Sequence, residues 1–203
     1  MAEGRLIGVD PSLTCSGWAL FDLKSEKLLG VGRIRSMAAS FPMAERLEDL
    51  QAKVNTLLHE LQLGQGDVMI CEAQTTMRDP RAAFKVEQVR GLFETLGRTM
   101  KVSVPGRLNP RTVQYEMMGL RGKQLKRVTV KQSAVMTVKH LYADALEGMG
   151  FDRKAIGKPA YQDIVDAILI GSLAVTKVKS ARRAGMAFEQ LFEERPFRRR
   201  QHV

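Results

Sequence analysis

Asp10 closes the apolar run RLIGVD, Glu72 closes DVMICE, and Asp163 and Asp166 stand three residues apart in YQDIVDAILIG. Each acid lies at the edge of a hydrophobic stretch, where the core can fix a side chain that still faces a cleft. Carboxylates are rarely buried without a partner. Two unit charges about 4 Å apart repel by about 4 kcal/mol at an effective dielectric near 20, so a gathered set needs protons or a cation. Oxygen donors of this kind suit the hard ion Mg²⁺. A pair of such ions roughly 3.5 to 4 Å apart is the usual device for hydrolysing a phosphodiester, whose negative charge repels hydroxide. Taken singly, each acid also has a plainer reading. Asp10-Pro11 can end a strand and open a turn, Glu72 can be a strand-edge residue, and Asp163 with Asp166 can be an ordinary pair on one helical face. The histidines His59, His140 and His202 fall in two helices and a tail, and are read as structural or surface residues.

The surrounding chain is basic. Lys and Arg number 32 against 22 Asp and Glu, a net charge of +10. That balance favours nucleic acid or an anionic membrane as partner. The membrane reading is the weaker, because no stretch approaches the roughly 20 apolar residues needed to span a bilayer. Cys15 and Cys71 form no Cys-x-x-Cys pair, which argues against zinc and for a reducing compartment. The first apolar run begins at Arg5, leaving no room for a signal peptide, so the expected location is the cytoplasm, with the nucleoid or a viral host cytoplasm as settings.

The elements that must position these acids follow from periodicity. Residues 5–9, 17–21 and 28–35 read as a three-stranded meander. Leu47, Leu50, Val54, Leu57, Leu58 and Leu61 recur at helical spacing over residues 43–63, with Gly64 as a stop. Residues 68–71 fit a buried parallel strand that leads into Glu72, and 81–98 returns to helical spacing. Residues 101–104 read as a fifth strand ended by Pro105. Helices follow near 110–118, 130–146 and 161–178, with a basic loop before the second and a Gly-containing connection before the third. These elements describe an α/β protein: a five-stranded mixed sheet flanked by helices, in one domain over residues 1–178. Residues 179–203 form a basic tail with Arg182, Arg183, Arg195, Arg198, Arg199 and Arg200, either a solvated end or a nonspecific phosphate contact.

Here a resemblance enters. IGVDPSLTCSGWAL resembles the first strand and hairpin of RuvC-type Holliday junction resolvases, in the RNase H-like superfamily. The likeness continues through LGVGRIRS, through ICEAQ and the following FKVEQVRGLFE, and through YQDIVDAILIG, in the same order over residues 5–175. It implies an RNase H-like fold in which Asp10, Glu72, Asp163 and Asp166 are the catalytic, metal-binding carboxylates. Asp10 would bridge two Mg²⁺ ions, with Mn²⁺ able to substitute. Lys131 in VTVKQSAVM matches a basic position that faces the reacting phosphate, although a lysine at a helix start is equally an ordinary surface residue. The implied activity is a structure-specific endodeoxyribonuclease that resolves four-way junctions by paired cuts. Two opposed cuts in a two-fold substrate need two active sites, hence a homodimer. The seam would be the helix over 82–98, through Phe84, Val89, Leu92, Phe93 and Leu96. Branched DNA is the implied partner, with branch-migration proteins as possible company.

Some positions depart from the family pattern. Ser12 stands where the family often has Gly. Gln74 and Thr75 stand where some members carry an aromatic wedge, leaving Tyr115, Met117 and Met118 as alternative stacking candidates. The stretch from Tyr115 to Val130 is longer than usual, and its Arg121, Lys123, Lys126 and Arg127 are candidates for an added DNA-contacting loop.

Candidate phosphate contacts are Arg33, Arg35, Arg78, Arg81, Lys85, Arg107, Arg111, Lys123, Arg127 and Lys131, against a reading in which many merely solvate the surface. Neutralising about six phosphates would give a log–log salt slope near −5. Other readings stay open: an RNase H-like nuclease acting on other branched DNA or structured RNA, a non-catalytic junction-binding protein, or an actin- or hexokinase-like ATPase. The last rests on D-x-S-x-T-x-S-G from Asp10 to Gly17, but lacks a second glycine-rich phosphate motif.

Overall fold

A computed structural model describes residues 4–74, 79–121 and 126–192. Strands β1 (Arg5–Asp10), β2 (Cys15–Asp22) and β3 (Leu28–Arg35) form the expected antiparallel meander. Helix α1 (Met43–Glu60) leads to β4 (Val68–Glu72), which pairs parallel to β1. Helix α2 (Pro80–Thr99) and the two-residue β5 (Arg107–Leu108) complete a sheet ordered β3-β2-β1-β4-β5. Then come α3 (Pro110–Met118), α4 (Arg127–Gly148) and α5 (Gln162–Ala184).

Period-two alternation sorts the strand residues between two cores. Ile7, Val9, Met69 and Cys71 pack with Leu50, Val54, Val89 and Phe93 of α1 and α2. Leu6, Val68 and Ile70 pack on the other face with residues of α3, α4 and α5. The RNase H-like expectation of a five-stranded mixed sheet between helices is met.

Local signals set the helix ends. Asp79 and Asn109 each accept the backbone N–H two residues on, ahead of Pro80 and Pro110 at the first helical position. Gly119 and Gly185 take the left-handed conformation just past α3 and α5.

The fifth strand differs from the expected 101–104. Lys101 adopts a positive φ, and the chain makes only a bridge from Ser103 to Val68 before pairing again at Arg107–Leu108. Pro105, lacking an N–H, lies in the interruption. Helix α4 starts at Arg127 rather than Val130, and α5 runs on to Ala184, past the expected edge at 178. Beyond it a turn at Phe188–Leu191 packs on the core and Phe192 is buried. Cys15 is half-buried and Cys71 buried, both free. No described helix is long and apolar enough to cross a membrane.

One buried ionic cluster ties α2 to β5. Glu94 accepts from Arg107 at 2.8 Å, and Arg90 and Arg98 each lie 3.6 Å from it. Arg90, itself buried, also pairs with Glu87.

Candidate active site

Strand parity puts the first two acids on one face. Leu6, Gly8 and Asp10 alternate toward α5, as do Val68, Ile70 and Glu72. The parallel register pairs Gly8 with Ile70 and Val9 with Cys71, so Asp10 and Glu72 follow at neighbouring strand ends. Adjacent strands lie about 4.8 Å apart.

Helix α5 brings the other two. Asp10 pairs across the sheet with Gly17, and a Cβ on Gly17 would collide with the carbonyl oxygen of Asp163. Farther along, a Cβ on Gly8 would come 2.6 Å from the Cα of Gly171. Glycines on β1, β2 and α5 thus let the helix lie closer to the sheet than side chains would allow. Asp163 and Asp166 are thereby set over the end of β1. Gly17→Ala is expected to lower stability by about 2 kcal/mol, because backbone must move to admit the methyl. An unchanged urea midpoint would show that α5 does not depend on this approach.

The electrostatics agree with the register. Burial, and then Glu72, Asp166 and Asp163, push the Asp10 carboxyl well above its ordinary value. Burial and Asp166 push Glu72 up to about 7. Burial likewise raises Asp166 to about 6, with Asp163 adding to the rise, while the Gln162 amide, Lys131 and Arg127 oppose it. The Gln162 side-chain nitrogen donates to Asp166 Oδ1 at 2.9 Å. The Cys15 thiol is raised above its ordinary value by burial and then by the neighbouring Asp163 carboxylate.

Among the described residues no three acidic, His or Cys side chains stand close enough, as placed, to enclose an ion. Even so, the donor set fits a hard divalent cation: all four acids offer oxygen from fixed backbone positions, and three are strained as anions without one.

A cavity of about 200 Å³ opens beside Glu72 and Asp166, with Arg127, Lys131 and Gln162 in its wall. Lys131 therefore faces the acids, and so does Arg127, which the longer α4 brings in. The remaining basic candidates are dispersed. Arg81, Lys85 and Arg111 are exposed near the starts of α2 and α3. Arg33 lies over the Tyr161 ring, 5.2 Å from its centroid, and donates to the Ala160 carbonyl. Arg35 acts electrostatically to lower the Cys15 thiol pKa, and Arg107 is engaged by Glu94. Arg78 and Lys123 lie outside the described residues, as does Thr75. Of the stacking candidates, Met117 and Met118 pack against the core, whereas Tyr115 is 51% exposed with Arg121 over its ring.

The residues that sequence reasoning did not single out are Gln162, Cys15 and the glycines. Gln162 was accessible, since it precedes Asp166 by one helical turn. Glycine inside a strand is also a known mark of close backbone approach. Cys15 had no such signal.

A five-stranded mixed sheet with carboxylates at the ends of its two adjacent parallel strands, and a helix laying two more over them, defines an RNase H-like protein with an acidic site. Residues 6–145 match the family model of crossover junction endodeoxyribonuclease RuvC, and the chain belongs to that family. Curated relatives of that name include one from Parvibaculum lavamentivorans, 32% identical over 42% of this chain and 48% of its own length. Another, from Chelativorans sp., is 31% identical over 55% of this chain and 59% of its own. The chain thus spans about half the length of the curated relatives it matches.

Solved structures extend the likeness in fold. Thermus thermophilus RuvC in complex with a Holliday junction substrate superposes with a TM-score of 0.62 at 19% identity, covering 89% of this chain and 96% of that one. The fowlpox virus Holliday junction resolvase superposes at 0.53 with 11% identity, covering 89% and 99%. Asp10, Glu72 and Lys131 lie inside the family match, while Asp163 and Asp166 lie beyond it.

Proposed function

We propose that this protein is a divalent-metal-dependent endonuclease that resolves four-way DNA junctions by paired cuts, acting as a homodimer. The reading rests on one observation: register and glycine packing bring Asp10, Glu72, Asp163 and Asp166 to one end of the sheet in a chain of the RuvC family. Its named relatives are crossover junction endodeoxyribonucleases.

We assign two Mg²⁺ ions to the site, with Mn²⁺ able to replace them; when bound they would neutralise phosphate charge and activate water at neutral pH. Asp10, between Glu72 and the α5 pair, is the acid placed to be shared, with Glu72 and Asp163 or Asp166 completing the set. Lys131 and Arg127 supply positive charge on the cavity wall and would hold the phosphate against the acids. Gln162 orients Asp166.

The dimer seam we assign to α2. Val89 and Phe93 are consumed by the chain's own core, which leaves Phe84, 64% exposed, and the half-buried Leu92 and Leu96 for a partner copy. Branch-migration proteins would be further partners.

With Mg²⁺ present, synthetic four-way junctions are expected to be nicked in pairs, and linear duplex and structured RNA left intact. Equal cutting of three-way forks or RNA would move the assignment to another RNase H-like nuclease. Binding without cutting in either metal would make it a junction-binding protein. Sedimentation is expected to give a dimer, and monomer alone on and off the junction would remove that part.

A further inference from the structure

Lys131 and Gln162 form walls of two cavities, and only one of them holds the acids. On the far side of these residues lies a second cavity of about 360 Å³, within the range of small-ligand sites. Val135, Met136 and Pro159 give it an apolar lining, and Gln132 adds an amide. On α4, Lys131, Gln132, Val135 and Met136 fall at spacings of one, four and five, so they share one side of the helix. Met136 is 72% exposed, a large apolar side chain left in solvent beside the reactive cleft. Gln162 commits its side-chain nitrogen to Asp166, and its carbonyl oxygen makes no hydrogen bond among the described residues.

A phosphate would not choose such a lining, which offers one cation and a predominantly apolar surface. A planar, partly apolar group with hydrogen-bonding edges would. The thioether of methionine adapts to and packs favourably on aromatic rings. Glutamine amides read base edges by paired donor and acceptor contacts. Lys131 and Gln162 line both cavities, which places the occupant next to the acidic cleft.

We propose that this cavity takes one unstacked nucleobase of the bound junction, next to the phosphate being cut, and that Gln132 and Met136 set which nucleotide is preferred there. The inference rests on the nuclease reading above and adds its specificity element. Unstacking costs least where bases are already poorly paired, as at the centre of a branched DNA.

The test is a set of four-way junctions, each with a single abasic residue at one position along the strand flanking the cut. At one position the wild-type protein is expected to cleave about tenfold more slowly, the loss of one seated base. A Gln132→Ala, Met136→Ala double variant should cleave the intact junction about tenfold more slowly and show no further loss at that abasic position. Both side chains are exposed, so its melting temperature should match the wild type. Absence of any position-dependent loss in the wild type, or an undiminished loss in the double variant, overturns the proposal while leaving the nuclease reading standing. Failure of the wild type to cut any junction overturns both.

Discussion

Replacing Asp10 with Asn is expected to abolish junction cleavage, by about 1,000-fold or more, while junction binding stays within about twofold of the wild type. The amide keeps the shape but loses the charge, and it presents an N–H₂ where an oxygen donor is needed. Asp10 sits between Glu72 and the two α5 acids, which all act on its carboxyl. Unfolding would not explain the loss. The Asp10 carboxyl is held well above its ordinary value, so the folded state disfavours its charge and removing that charge should strengthen the metal-free fold. Lys131→Ala should have a smaller effect, a rate loss of about 100-fold with little change in binding, because it lines the cavity with the acids and would contribute charge rather than an oxygen ligand. Cleavage by Asp10→Asn at the wild-type rate would refute the acidic site. A near-normal rate for Lys131→Ala would return that lysine to the surface.

The second large effect is on stability without metal. Glu72 rises from 4.5 to about 7 and Asp166 from 3.8 to about 6, so the folded chain holds protons that the unfolded chain releases. Below about pH 3 both groups are largely protonated in both states and nothing is lost. As pH rises toward 7 the unfolded state gains from ionising first, and stability falls. At pH 8 in chelator, Glu72→Gln should therefore be more stable than the wild type by on the order of 3 kcal/mol, and the gap should close near pH 4. Adding Mg²⁺ should stabilise the wild type by mass action and the variant much less. Thermal melts at the two pH values, with and without the ion, measure all four quantities. A Glu72→Gln protein less stable than the wild type at pH 8 in chelator would mean that the acids are already compensated.

Much of the scaffold was legible because it rests on local patterns. Leu50, Val54, Leu57 and Leu58 mark a helix by spacing alone, and all four are buried on one side of α1. The apolar runs before Asp10 and Glu72 mark strands whose ends open on a site. The fifth strand was misplaced by a few residues because apolar character alone does not reveal which N–H groups find partners. Lys101 turns the chain, Pro105 interrupts pairing, and only Arg107–Leu108 rejoin the ladder. Among the basic residues, sequence could not separate Lys131 and Arg127, which share a wall with the acids, from Arg107, which is drawn to Glu94. Charge type is a property of the residue, and partnership is a property of the fold.

By itself the amino-acid order determined all the elements but the fifth strand, the four acids at their ends and the basic character of the whole, since each follows from spacing and composition along one chain. Only the tertiary structure decided that the acids lie at one end of the sheet. The β1–β4 register sets Asp10 beside Glu72, and a path cleared by Gly8, Gly17 and Gly171 lets α5 lie close enough to add Asp163 and Asp166. The physical reason is that convergence depends on distances between segments far apart in the chain, fixed by strand pairing and by the absence of side chains at three crossings.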